Sequence, residues 1–89
     1  MRVHYTENAK KDLEYLSLGI AQRIIKKIYF YSLQESPLHY ATKLVNSSVG
    51  SYRFRIGEYR VIFDINDKGD VVILIVLRIG HRKEVYRHV

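Results

Sequence analysis

Two alternating stretches on either side of Gly57-Glu58 commit the middle of this 89-residue chain to a β-hairpin of one register. Tyr52-Arg-Phe-Arg-Ile56 alternates apolar and polar, the period of a half-buried strand, and Tyr59-Arg-Val-Ile-Phe-Asp-Ile65 reads as its return strand. Glycine at the first central position suits a two-residue hairpin turn. That turn sets Ile56 opposite Tyr59 and Arg55 opposite Arg60, with Arg53 on the same face. Tyr52, Phe54, Ile56, Tyr59, Val61, Phe63 and Ile65 form the other face, which is expected to meet helices. The arginine face, with Ile62 and Asp64 further along it, is expected to open to solvent. Like charges directly across a strand pair are destabilising, so folding alone gives no reason for Arg55 opposite Arg60. An anionic partner does, because guanidinium forks grip phosphates bidentately.

The rest of the chain supplies the layers around this hairpin. Arg2 to Tyr5 reads as a short strand. Thr6 can cap a helix with Glu7 in its first turn, and Ala9, Leu13 and Leu16 follow at helical spacing. Gly19 is expected to end that helix as its C-cap residue. A second helix follows, with Ile20, Ile24, Ile28 and Tyr31 on one stripe and Ile25 beside it. It stops by Ser36, because the residue before a proline disfavours the helical region. Leu38 to Ser51 is irregular, with a short strand or turn within Ala41–Val45 and a turn-rich stretch after it. Asn66-Asp-Lys-Gly-Asp70 is a second turn. Val71-Val-Ile-Leu-Ile-Val-Leu77 is continuously apolar, the mark of a strand buried on both faces and central in its sheet. One face meets the helices, and the last residues are the candidate cover for the other. The strand exit is expected at Ile79–Gly80, with a turn or short helix over His81–His88. Helices followed by strands indicate the α+β class. The predicted architecture is an N-terminal strand and a two-helix hairpin on a mostly antiparallel sheet of three to four or more strands, in one domain spanning residues 1–89.

Fifteen Lys and Arg against nine Asp and Glu give a net charge of +6, an excess that points to nucleic acid or another anionic partner. The apolar content of 47% excludes a disordered chain. There is no cysteine, hence no disulfide and no thiolate chemistry, which fits a reducing cytoplasm. Met1-Arg-Val-His-Tyr5 leads into a helix start rather than resembling a secretion leader. The apolar run Val71 to Leu77 is too short to cross a bilayer. A cytoplasmic location without a membrane partner is expected. His4, His39 and His88 show no ligand spacing, and the chain lacks a calcium loop, a phosphate loop and a nucleophile elbow. Neither a metal nor a small-molecule cofactor is expected.

Antiparallel pairing of the central strand with Tyr59–Ile65 puts its exit beside the Gly57-Glu58 turn. Arg55, Arg60, Arg78, His81, Arg82 and Tyr86 are then expected to converge on one concave patch, with Arg53, Lys83 and Arg87 as further cations for RNA. Such a patch suits metal-independent RNA cleavage. That reaction activates a ribose 2′-hydroxyl, stabilises a pentacovalent phosphorane and protonates the leaving 5′-oxygen. Arginines answer the second need by fixed positive charge. A histidine, such as that at position 81, can answer the third. Tyr86 can stack on a base, or exchange a proton where neighbouring cations lower a phenol's pKa. Plainer readings stand beside these: His81 as a turn residue after Gly80, Tyr86 as core, and any one surface arginine as a solvated charge.

Tyr52-Arg-Phe-Arg-Ile-Gly-Glu-Tyr-Arg-Val-Ile-Phe63 and Ile79-Gly-His-Arg-Lys-Glu-Val-Tyr-Arg87 together resemble the two signatures of the RelE/ParE toxin superfamily, the RelE branch more closely. The helical hairpin before the sheet agrees with that layout, so the resemblance spans nearly the whole chain. It implies the toxin of a type II toxin–antitoxin system, with a cognate antitoxin protein, the ribosome and mRNA as partners. It further implies an enzyme that cuts mRNA in the ribosomal A site by 2′-hydroxyl attack. Basic strand positions of the family match Arg53 and Arg55, and the arginine after the turn matches Arg60. The C-terminal basic and tyrosine positions match Arg82, or His81, and Tyr86. Some relatives carry lysine where this chain has Arg53 and Arg55. Lysine can act as a base when its pKa falls and arginine effectively cannot, so Tyr86, His81 or water are the candidate bases. The alternatives are a ParE-like inhibitor of DNA gyrase and a non-catalytic RNA- or ribosome-binding homologue.

Overall fold

The hairpin register is the one its turn dictates. In the computed structural model, which describes residues 1–85, strand β3 (Tyr52–Ile56) pairs with β4 (Tyr59–Asp67) so that Arg55 faces Arg60 and Ile56 faces Tyr59. Gly57 takes a φ of +59° while Glu58 keeps a negative φ, the combination a type II′ turn requires. β5 (Val72–His81) then pairs antiparallel with β4, β1 (Arg2–Tyr5) adds parallel to β5, and β2 (Ala41–Lys43) adds antiparallel to β3. The result is a five-stranded mixed sheet in the order β1-β5-β4-β3-β2. Helices α1 (Glu7–Tyr15) and α2 (Leu18–Ser32) cover one face. Ile24, Ile28 and Tyr31 of α2 bury against Phe54, Val61, Phe63, Leu74 and Val76, with Phe54 and Phe63 stacked at 4.2 Å. The architecture is the α+β arrangement expected from the sequence, and no helix among the described residues is long and apolar enough to cross a membrane.

Two expectations are corrected. Gly19 does not end the first helix. α1 stops at Tyr15 with Leu16 extended as its C-cap, Ser17 caps α2 through a bond from Ile20 N–H, and Gly19 lies in the first turn of α2. An extended residue followed by a serine N-cap reverses the chain without a left-handed glycine. The arginine face is also less open than expected: Ile62 is 0% and Arg60 8% exposed. The cover over Ile62 comes from the stretch leading into β3. Ser51 N–H donates to Asp64 Oδ1 at 2.7 Å, Leu44 N–H donates to the Ser51 carbonyl, and a Cβ at Gly50 would lie 2.8 Å from both Ile62 Cγ2 and Leu77 Cδ1. Only glycine allows this close approach. The part of the expected cover that falls in residues 86–89 lies outside the described residues.

β5 outruns its neighbour β1, and α1 takes over the edge. Thr6 N–H donates to the Val76 carbonyl, Thr6 Oγ1 donates to the Leu77 carbonyl and also caps α1 by accepting from Ala9 N–H. One and a half turns on, Asp12 accepts from Ile79 N–H at 2.9 Å and from Arg78 Nε and Nη2 at 2.9 and 3.0 Å. A bulge assists: Ile62 pairs with Arg78 and Phe63 with Val76, which leaves Leu77 as an extra residue in β5. Asp12→Asn keeps the shape but removes the charge that holds three donors. It is expected to lower unfolding free energy by about 1.5–3 kcal/mol in urea titrations. Burial pushes the Tyr5 hydroxyl up to about 12 from 10.0. Because the folded state favours the neutral phenol, its contribution is complete below pH 10 and is lost as pH rises towards 12. Urea midpoints should therefore fall across that window, and less steeply in Tyr5→Phe.

Candidate functional site

The cross-strand pair Arg55–Arg60 is the centre of a cationic cluster under the sheet. Arg60 is buried because its partners are backbone: Nη1 donates to the Gly57 carbonyl at 2.9 Å and to the Tyr59 carbonyl at 3.0 Å. Both bonds use Nη1, so the Nε–Nη2 edge of the fork makes no hydrogen bond among the described residues. Burial lowers the Arg60 pKa from its ordinary value, Arg55, Arg53 and Arg82 lower it further, and Glu58 opposes them. An arginine stays charged through such shifts. Arg53 comes from the same strand face as Arg55, opposite Ile62. Arg82 arrives from the turn after β5, where its N–H donates to the Glu58 carbonyl and its Nε pairs with Glu58 Oε2, both at 2.8 Å. Arg53, Arg55, Arg60 and Arg82 therefore form one electrostatic unit, with the Glu58 carboxylate beside it.

Arg78 and His81, expected on the same patch, sit elsewhere. In register, His81 faces Tyr59 on the helix side, with an edge-on ring contact at 5.7 Å. Its Nδ1 accepts from Lys83 N–H at 3.2 Å, which places the proton of a neutral ring on Nε2. Arg78 is drawn over the sheet edge by Asp12, and those hydrogen bonds raise its pKa against the opposing effect of burial. Both residues line a cleft of about 650 Å³ with Asp12, Tyr15, Tyr59, Glu84 and Val85. The physical reason for the split is twofold. Strand alternation sends residue 81 to the face opposite Arg60, and the free edge of β5 needs Asp12, which carries Arg78 with it. Lys83 is exposed in the turn that follows β5. Tyr86 and Arg87 lie outside the described residues. Among the described residues no group of three His, Cys, Asp or Glu side chains could hold a metal ion.

The sequence reading passed over Glu58 and Asp12. Glu58 was legible only as a turn residue, and its meeting with Arg82 needs the β4–β5 register. Asp12 follows a helical pattern in the sequence and pairs 66 residues away. No local signal marks that contact.

The model of the ParE toxin of type II toxin–antitoxin systems, parDE, matches residues 3–86. Toxin RelG of Mycobacterium tuberculosis is 31% identical over 85 residues, covering 96% of this chain and 94% of that protein. A RelBE toxin–antitoxin complex from Mycobacterium tuberculosis superposes with a TM-score of 0.73 at 28% identity, covering 91% of this chain and 96% of its counterpart. The RelB–RelE complex of Methanococcus jannaschii does so with a TM-score of 0.60 at 27% identity, covering 96% of each chain. The YoeB/ParE toxin of Agrobacterium tumefaciens, at 16% identity and a TM-score of 0.69 over 91% of this chain and 98% of that one, shares the fold. Two helices on a mixed sheet, an arginine hairpin and a match across almost the full length make this chain a member of the RelE/ParE superfamily, toxins of type II toxin–antitoxin systems.

Proposed function

We propose that this toxin is a metal-independent, ribosome-dependent mRNA endonuclease, held inactive by a cognate antitoxin. The observation that carries the reading is the arginine cluster, in which Arg60 is buried opposite a second arginine and keeps one edge of its fork unbonded among the described residues. Four guanidinium groups within electrostatic reach cost stability, and a scissile phosphate that gains charge in the transition state repays that cost. Arg60 offers its Nε–Nη2 edge to the phosphorane, while Arg53 and Arg55 seat the flanking backbone. No arginine takes up a proton at neutral pH. The 2′-hydroxyl proton and the leaving oxygen therefore fall to Tyr86, to water, or to His81 if the RNA reaches the helix side of β5. Lys83 and Arg87 serve in this reading as peripheral cations for RNA, while Arg78, paired with Asp12, leaves that role. The complexes of the RelE relatives with their antitoxins support an antitoxin partner here. Leu18 and Tyr29, exposed on α2, and Leu33 at its C-cap offer it apolar surface.

A second reading, inhibition of DNA gyrase through protein contacts, is favoured by the family match to the ParE toxin. Pulse labelling after induction separates the two. Methionine incorporation should stop before thymidine incorporation, and Arg60→Lys, which keeps the charge but loses the fork, should slow mRNA cleavage on programmed ribosomes by about 10²–10³-fold. Thymidine loss first moves the assignment to gyrase. A non-catalytic ribosome-binding homologue would halt labelling without cutting mRNA.

The Arg55–Arg60 pair also predicts a trade-off. Removing a like charge from directly across a strand pair stabilises by about 0.2–1 kcal/mol. Arg55→Ala should thus raise the urea midpoint while weakening RNA binding in filter assays. A variant that loses stability along with binding would show that Arg55 serves the fold.

A further inference from the structure

We propose that Glu58 is a positioning residue for Arg82, one that aims the guanidinium of Arg82 at a bound phosphate although Glu58 itself repels anions. The proposal rests on the reading of the arginine cluster as a phosphate site. Arg82 belongs to a turn outside the sheet, and its side chain is about half exposed. A long cation in that setting ordinarily samples many rotamers and gives up that freedom on binding. Here two tethers to one residue restrict it. The Arg82 N–H donates to the Glu58 carbonyl at 2.8 Å, and Arg82 Nε forms an ion pair with Glu58 Oε2 at 2.8 Å.

The second tether, an ion pair, engages one end of the fork. A guanidinium has one edge formed by Nε and one Nη, and another formed by both Nη atoms. Glu58 Oε2 lies against Nε, and neither Nη of Arg82 makes a hydrogen bond among the described residues. The outer edge stays available for a phosphate, next to Arg60, whose pKa already registers the charge of Arg82. The Glu58 charge also acts on Arg60, opposing the lowering of its pKa. Its position in the turn, rather than on a strand, allows the carboxylate to sit beside the cluster without occupying the arginine face.

Charge and position make opposite forecasts, which gives the test its edge. By Coulomb's law alone, removing Glu58 leaves a more positive patch and tightens anion binding. If Glu58 aims Arg82, removing it weakens binding. The probe is inorganic pyrophosphate, titrated calorimetrically into the folded chain, with the Nε–H resonances of the arginines followed by NMR. Glu58→Ala is expected to weaken pyrophosphate binding by about 2–10-fold, the ordering cost of one long side chain, and to move the Arg82 Nε–H resonance alone. Glu58→Asp, which keeps the carboxylate of the ion pair, should stay closer to the unmodified chain than Glu58→Ala in both readouts. In an Arg82→Ala background, Glu58→Ala should no longer weaken binding. The backbone bond from Arg82 N–H to the Glu58 carbonyl survives every substitution, so the fold is kept. Equal or tighter binding by Glu58→Ala overturns the proposal. So does a loss that persists without Arg82, and so does an unmodified chain that binds no pyrophosphate. Because this binding needs neither ribosome nor cleavage, failure of the nuclease reading alone would leave the measurement intact.

Discussion

Three consecutive carbonyls at the β3–β4 turn hold the cationic cluster together. The Gly57 and Tyr59 carbonyls accept from Arg60, and the Glu58 carbonyl accepts from the Arg82 N–H. A turn that closes a hairpin leaves such groups facing outward, and here they face guanidinium and amide donors instead of water. The same turn sets the strand register, so it decides both which arginines oppose one another and what neutralises them. Backbone carbonyl dipoles, unlike carboxylates, lower the cost of gathering positive charge without cancelling it. The fork of Arg60 can be anchored on one side and still carry its full charge on the other.

The balance of forces around that turn runs against maximum stability. A cross-strand arginine pair costs free energy, and burying one of the two adds to the cost. The sheet tolerates this because its helix-facing side is conventional: aromatic stacking of Phe54 on Phe63 and an aliphatic layer from α2 supply the burial that a chain of this size needs. The opposite side is specialised. Its apolar residues, Ile62 and Leu77, are covered by the Gly50 stretch, which leaves the arginines as the chemically distinctive part of that face. Strain and charge concentrate where binding is to occur, as expected for a functional site.

Asp12 shows how the fold and the site are separated. By capping the free edge of β5 it also withdraws Arg78 from the arginine face and closes one wall of the helix-side cleft that holds His81. The chain thus presents two chemically different surfaces at the same end of β5, one cationic and one mixed, divided by the sheet itself.

Local pattern in the sequence determined the hairpin, its register and turn, the apolar face, the α2 stripe and the α+β order of elements. All of these follow from side-chain period and from glycine at position 57. The opposition of Arg55 and Arg60 was legible for the same reason, because a two-residue turn leaves no freedom in pairing. The return of Arg82 to that turn was partly legible from antiparallel topology. Only the tertiary structure decided that Glu58 pairs with Arg82, that Asp12 captures Arg78, that His81 falls on the helix side and that Gly50 seals Ile62. These depend on where strands end relative to one another and on a bulge at Leu77 that shifts the register midway. The lengths of the edges, and the unpaired backbone they leave, emerge only when the strands are assembled, and polar groups far apart in sequence then move to satisfy them.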